Sequence, residues 1–144
     1  MTGASQLSGQ CYCGACRYTV SAPASHVIHC HCTMCRRLQG SDQTTWVSVP
    51  ATAFSLHARD ADVSRFAVSD RTTKTFCSRC GSTLYHITRG CEGVIGLLAG
   101  TLSDPPPLRP TGHYFYSDRA SWTATPSDGL PLYGGPSGFE AIEQ

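Results

Sequence analysis

Short stretches of alternating apolar and polar residues, separated by Gly, Pro or Asp, recur along the chain and predict a mostly β protein. The strand candidates are Arg17–Val20, His26–Cys30, Thr44–Val49, Ser64–Val68, Thr72–Phe76, Thr83–Ile87, Val94–Ala99 and His113–Tyr116. One polar segment, Thr33–Gln39, predicts one or two helical turns that Gly40 stops. Residues 1–8 read as a loose start and Gly9-Gln10-Cys11-Tyr12-Cys13-Gly14 as a turn. Pro105-Pro106-Pro107 interrupts regular structure, since proline has no amide donor, and Pro126–Gly138 is a turn-rich closing segment. With no internal repeat and no linker, the expected organisation is one domain over residues 9–133, between a flexible start (1–8) and a C-terminal tail (134–144).

Composition narrows the picture. An apolar share of 40% in 144 residues is enough for a core, and 14 Gly and 9 Pro fit many turns rather than a helical bundle. A formal charge of +1 excludes a protein that binds nucleic acid mainly through its phosphates. The longest uncharged apolar stretch, Gly93 to Leu102, falls well short of the ~20 residues of a membrane helix. The N-terminus shows neither a basic region nor an apolar signal core, so a cytoplasmic location is expected.

The nine cysteines change the picture most. Their number is odd and all but Cys91 lie close to another, which favours metal chelation over disulfides, because disulfides between near neighbours are strained. Phe76-Cys77-Ser78-Arg79-Cys80-Gly81 offers two thiols on a tight turn, and zinc is the ion such thiolate sites most often hold. Cys11 and Cys13 can complete a four-thiolate structural site, since alternate residues of an extended segment point to the same side. Cys13-Gly14-Ala15-Cys16 also has C-x-x-C spacing, so the pair Cys13 and Cys16 stays open as a competitor.

A second cluster, Cys30, Cys32 and Cys35, has another logic. Cys30 and Cys32 face one way if extended, and Cys35 lies one helical turn further on, so three sulfurs converge at a strand-to-helix junction. Three protein ligands leave the fourth tetrahedral position free, as in a catalytic zinc. Three thiolates weaken the Lewis acidity of the ion, which suits a soft exogenous thiol better than water. Arg36, with Arg37, stands beside the last sulfur and can offset its charge or hold a carboxylate of the incoming ligand. The competing reading closes this site with His29 or His31, although neighbours in a strand face opposite ways. Cys16 and Cys91 read as small buried hydrophobes, and His113 and Trp46 as packed residues that could also line a cleft.

The motifs G-x-C-x-C-G (Gly9 to Gly14), C-H-C-x-x-C-R (Cys30 to Arg36) and F-C-x-x-C-G (Phe76 to Gly81) resemble the glutathione-dependent formaldehyde-activating enzymes, a family also described with the centromere protein V domain. Ala99-Gly100-Thr101-Leu102, His113, Trp122 and Leu130-Pro131 extend the resemblance over about residues 9–133. It implies an Mss4-like fold of several small coiled antiparallel sheets stapled by zinc, with two zinc ions per chain. Cys11, Cys13, Cys77 and Cys80 would hold the structural ion, and Cys30, Cys32 and Cys35 the catalytic one.

The implied activity is that of a carbon-sulfur lyase, adding glutathione or a similar small thiol to formaldehyde or another carbonyl compound, or the reverse cleavage. The partners are then small molecules, with no nucleic acid or membrane, and the protein is a monomer or homodimer. The alternative from another class is a noncatalytic zinc module for protein or nucleic-acid interaction. A single lysine and the lack of an aromatic-basic stripe speak against a nucleic-acid partner.

Overall fold

The computed structural model describes residues 6–104 and 108–142, so Pro105-Pro106-Pro107 lies outside the described residues. Its elements are β1 (Leu7–Gln10), β2 (Arg17–Val20), β3 (His26–Cys30), α1 (Thr33–Gln39), β4 (Thr44–Pro50), β5 (Phe54–His57), β6 (Val63–Ala67), β7 (Thr72–Cys77), β8 (Thr83–Thr88), β9 (Val94–Leu98), β10 (His113–Tyr114), β11 (Tyr133–Gly134) and β12 (Glu140–Ala141). The protein is mostly β, as the alternation predicts. The chain forms two compact units, residues 1–25 with 47–108 and residues 26–46 with 109–144, and β4 passes from the second into the first.

The first unit holds an antiparallel sheet in the order β1-β2-β5 and the succession β4-β9-β8-β7-β6. Its core includes Tyr18, Val20, Val47, Val49, Leu84 and Leu97, all at most 1% exposed, from alternate strand positions. Burying side chains of this kind contributes roughly 1.5–3 kcal/mol each. β1 is absent from the sequence reading because its third residue is Gly9, which looks like a turn former. A β-carbon there would collide with the Tyr18 phenol and the Thr101 carbonyl, so the glycine serves close packing inside a strand. β5 was also missed. It is four residues long and carries Ser55 and His57 on its exposed face.

The second unit carries β10-β3-β4, the helix and the β11-β12 hairpin. Here β10 runs parallel to β3, with His113 opposite His29 and Tyr114 opposite Cys30, so this sheet is mixed rather than purely antiparallel. A parallel pair needs a long crossover, which no local turn signal announces. The strand expected to reach Tyr116 ends at Tyr114, because Phe115 takes a left-handed conformation (φ 54°). Gly138 accommodates that ring, since a β-carbon there would overlap it.

Candidate metal centre

Two turns build the first sulfur cluster. In one, the Cys11 amide donates to the Cys16 carbonyl (2.9 Å) and Gly14 supplies the left-handed residue (φ 81°). In the other, the Gly81 amide donates to the Cys77 carbonyl (2.9 Å), and Gly81 has the same φ of 81°. The Sγ atoms of Cys11, Cys13, Cys77 and Cys80 lie within 4.8 Å of one another. Cys11 and Cys13 are 3.6 Å apart, and Cys13 and Cys77 are 3.8 Å apart. A zinc ion with ~2.3 Å bonds to sulfur needs tetrahedral edges of about 3.8 Å, so the donor set fits that ion.

Backbone amides point at two of these sulfurs, Cys16 N–H at Cys11 Sγ and Arg79 N–H at Cys77 Sγ, each at 3.3 Å. Such bonds favour the thiolate that a metal requires. The Ser82 hydroxyl, 3.2 Å away, is the main influence that brings Cys80 down to about 5. Cys16 takes no place in the cluster: it is fully buried, its thiol donates to the Asp62 carbonyl (3.2 Å), and burial pushes it up to about 12. Cys91 stands alone and exposed.

The second cluster comes from one continuous segment. β3 ends at Cys30, and Cys32 caps α1, its sulfur accepting from the Cys35 amide at 3.3 Å. Gly40 closes the helix in the left-handed region (φ 65°), donating to the Arg36 carbonyl. The three sulfurs also lie within 4.8 Å, with Cys30 and Cys35 3.7 Å apart, again the edge of a zinc tetrahedron. Cys30 and Cys35 are buried, and Cys32 is partly exposed.

Among the described residues, no His, Asp, Glu or further Cys joins this trio. Contact with its two neighbours pushes the Cys30 thiol up and holds Cys32 down at about 2, so without a cation the trio keeps protons. The Trp46 indole also lies against the Cys35 sulfur.

The histidines flanking the trio are engaged elsewhere. His29 Nδ1 is 2.8 Å from the Thr45 hydroxyl. His31, wholly buried, has Nε2 2.9 Å from Nδ1 of His113, whose own Nε2 is 2.8 Å from an Asp128 carboxylate oxygen. Burial lowers His31 to about 4. Its Nδ1 is buried without a hydrogen-bond partner among the described residues, which in an interior costs about 1–3 kcal/mol.

Asp128 is a residue that the sequence reading did not single out. It lies in the turn-rich closing segment, where no local pattern marks it. Arg36 and Arg37 line an open cavity of about 210 Å³ with Gly40, Ser41 and the exposed Trp122, and the Arg36 Nε is buried without a partner among the described residues.

Comparison with known proteins decides the family, because the model of the glutathione-dependent formaldehyde-activating enzyme matches residues 6–118 and so takes in both clusters. The chain belongs to that family. Among its relatives, the Halomonas elongata protein named "Putative glutathione-dependent formaldehyde-activating enzyme" is 25% identical over 127 residues, covering 81% of this chain and 78% of its own. An uncharacterized lyase of Schizosaccharomyces pombe is 29% identical over 85 residues, which is 56% of each chain. A crystal structure of a Rhodobacter sphaeroides protein matches with a TM-score of 0.55 and 18% identity, over 69% of this chain and 91% of that one, and so shares the fold. Within this family of formaldehyde-activating enzymes, the chain brings together both cysteine sets that its motifs predict.

Proposed function

We propose that the protein is a zinc-dependent carbon-sulfur lyase that joins a small thiol, glutathione or a similar compound, to formaldehyde or another small carbonyl compound, and catalyses the reverse cleavage. The observation that carries this reading is the unequal ligand count: one cluster offers four sulfurs, the other three. The family match and the names of the relatives agree with it.

In this reading Cys11, Cys13, Cys77 and Cys80 hold a structural zinc, and Cys30, Cys32 and Cys35 a catalytic one. When bound at the trio, zinc supplies a Lewis-acidic position that keeps a thiol substrate deprotonated at neutral pH. The residues of the chain do the rest. Burial of Cys30 and Cys35 leaves Cys32 as the sulfur nearest to solvent, so the substrate enters from its side.

Arg36 and Arg37 follow Cys35 in the chain and line one cavity with Trp122, where their guanidinium groups would hold a carboxylate of the thiol. Trp122 offers an apolar wall for the rest of that ligand. The addition is balanced without a redox partner: a carbon-sulfur bond forms, and the thiol proton ends on the carbonyl oxygen.

Among the described residues no helix is long and apolar enough to cross a membrane, and all nine cysteines are free. A reducing compartment such as the cytoplasm suits such a set of thiols. The test is NMR of the zinc-loaded protein with formaldehyde and millimolar glutathione. Accelerated exchange between free and thiol-bound formaldehyde, abolished in Cys32→Ala, supports the reading. Absence of exchange with every thiol and aldehyde pair, with both zinc ions unperturbed by thiol, would favour a noncatalytic zinc module instead.

A further inference from the structure

Away from the sulfur clusters, one face of the β6-β7-β8 sheet gathers three arginines. The register sets Arg65 of β6 opposite Thr75 of β7, and Thr73 of β7 opposite Ile87 of β8. One step beyond the Thr72–Thr88 pair, the Arg89 amide donates to the Arg71 carbonyl (2.6 Å), so these two residues end the β7-β8 ladder side by side. Alternation puts positions 71, 73 and 75 of one strand and 87 and 89 of the next on the same face. There Arg65, Arg71 and Arg89 line a cavity of about 360 Å³ with Thr73, Thr75 and Ile87.

Like charges on opposed strand positions destabilise a sheet, and the two carboxylates at this cavity do little to relieve them. Asp70 approaches Arg89 only to 3.9 Å in an exposed pair, and Glu92 accepts from the Gly90 amide (2.9 Å). Arg65 and Arg71 have no ion pair, side-chain hydrogen bond or ring contact among the described residues. An anion between the guanidinium groups would remove the repulsion. One bidentate arginine answers a carboxylate, whereas a phosphate monoester brings a charge of about −1.5 to −2 and three acceptor oxygens, enough for both unpaired arginines. The volume lies in the range of small-ligand sites, about 300–1,000 Å³, and leaves room for an organic body beside the phosphate.

We propose that Arg65, Arg71 and Arg89, with Thr73 and Thr75, bind the phosphate of a small phosphate monoester whose organic part packs against Ile87. The site shares no residue with either cluster, so it stands or falls independently of the lyase reading.

The experiment is proton–nitrogen NMR of the zinc-loaded, ¹⁵N-labelled protein at fixed ionic strength, titrated with phenyl phosphate, inorganic phosphate and benzoate. Phenyl phosphate should shift the Thr73, Thr75 and Ile87 amides saturably. Inorganic phosphate should move the same amides with several-fold weaker affinity, and benzoate should bind at least tenfold more weakly than phenyl phosphate. Arg65→Gln and Arg71→Gln should each weaken phenyl phosphate about tenfold, the loss of a charge-assisted contact, with the thermal midpoint held. Lys74→Gln removes the same charge from the other face of β7, where Lys74 lies over Phe76, and should leave the affinity unchanged.

No saturable shift at these amides, an equal affinity for benzoate, or equal losses in Lys74→Gln and the two arginine variants would overturn the site. Equal affinities for phenyl phosphate and inorganic phosphate would overturn the organic half of the proposal.

Discussion

The two sulfur clusters are made from the same residue type at similar spacing, yet they are connected to the chain in opposite ways. Cys13 and Cys77, which touch in the four-sulfur cluster, are 64 positions apart, whereas Cys30 and Cys35 in the trio are separated by 5. On a chain-entropy scale, closing the longer loop restricts the unfolded state by about 4 kcal/mol and the shorter one by about 2. The first cluster is therefore placed to hold a fold together. The second adds little that a strand end and a capped helix do not already provide, so its ligands are free to serve chemistry. The lesson is that ligand number and loop length point the same way here: four sulfurs gather from distant turns and three from one local segment, which is what the proposed division into a structural and a catalytic site requires.

Removing one staple ligand should have the largest effect. Cys80→Ala is expected to abolish the cooperative thermal transition seen by circular dichroism, since structural zinc sites contribute about 10 kcal/mol or more of binding free energy to folding. Cys32→Ala is expected to keep the fold, lose one of two zinc ions by mass spectrometry, and lose thiol–carbonyl exchange. Equal unfolding by both variants would erase the distinction between the clusters.

Acid should separate the clusters next. In the metal-free trio, contact with Cys30 and Cys35 holds Cys32 down at about 2, contact with Cys32 and Cys35 lifts Cys30, and Cys35, lowered by Cys30 but raised more by Cys32 and burial, stands at about 12, so two of three sulfurs are raised. In the staple, Cys77 and Cys80 lie below the ordinary thiol value while Cys13 lies above it. A raised thiol binds protons at higher pH and competes harder with the metal. As pH falls, the trio should release its ion first, and a chromophoric zinc indicator should report two steps. A single step, or the reverse order established with Cys32→Ala, would contradict the comparison.

Arg36→Ala should give the smallest effect: a KM for glutathione raised roughly tenfold, the loss of one charge-assisted contact, with kcat little changed. A fall in kcat at constant KM would move Arg36 from binding into the chemistry.

Much of this was legible in the sequence. The bounds of β2, β3 and α1 follow from alternation and from Gly40, and the two cysteine sets follow from spacing that lets sulfurs converge. β1 was not legible, because Gly9 signals a turn locally and is required by the Tyr18 ring only in three dimensions. The parallel pairing of His113 with His29 was hidden as well, since the two residues are far apart in the chain and no hairpin joins them. Asp128 was invisible for the same reason: its role arises from a contact with His113 that nothing in its own neighbourhood encodes.

The most direct test of the account is zinc-edge X-ray absorption on the fully loaded protein, before and after addition of glutathione. A four-sulfur ion and a three-sulfur ion average to about 3.5 sulfurs per zinc, and the thiol should raise that average to about 4. An average of 4 before any thiol is added, or a value that glutathione leaves unchanged, would contradict the claim that the trio keeps a position for its substrate.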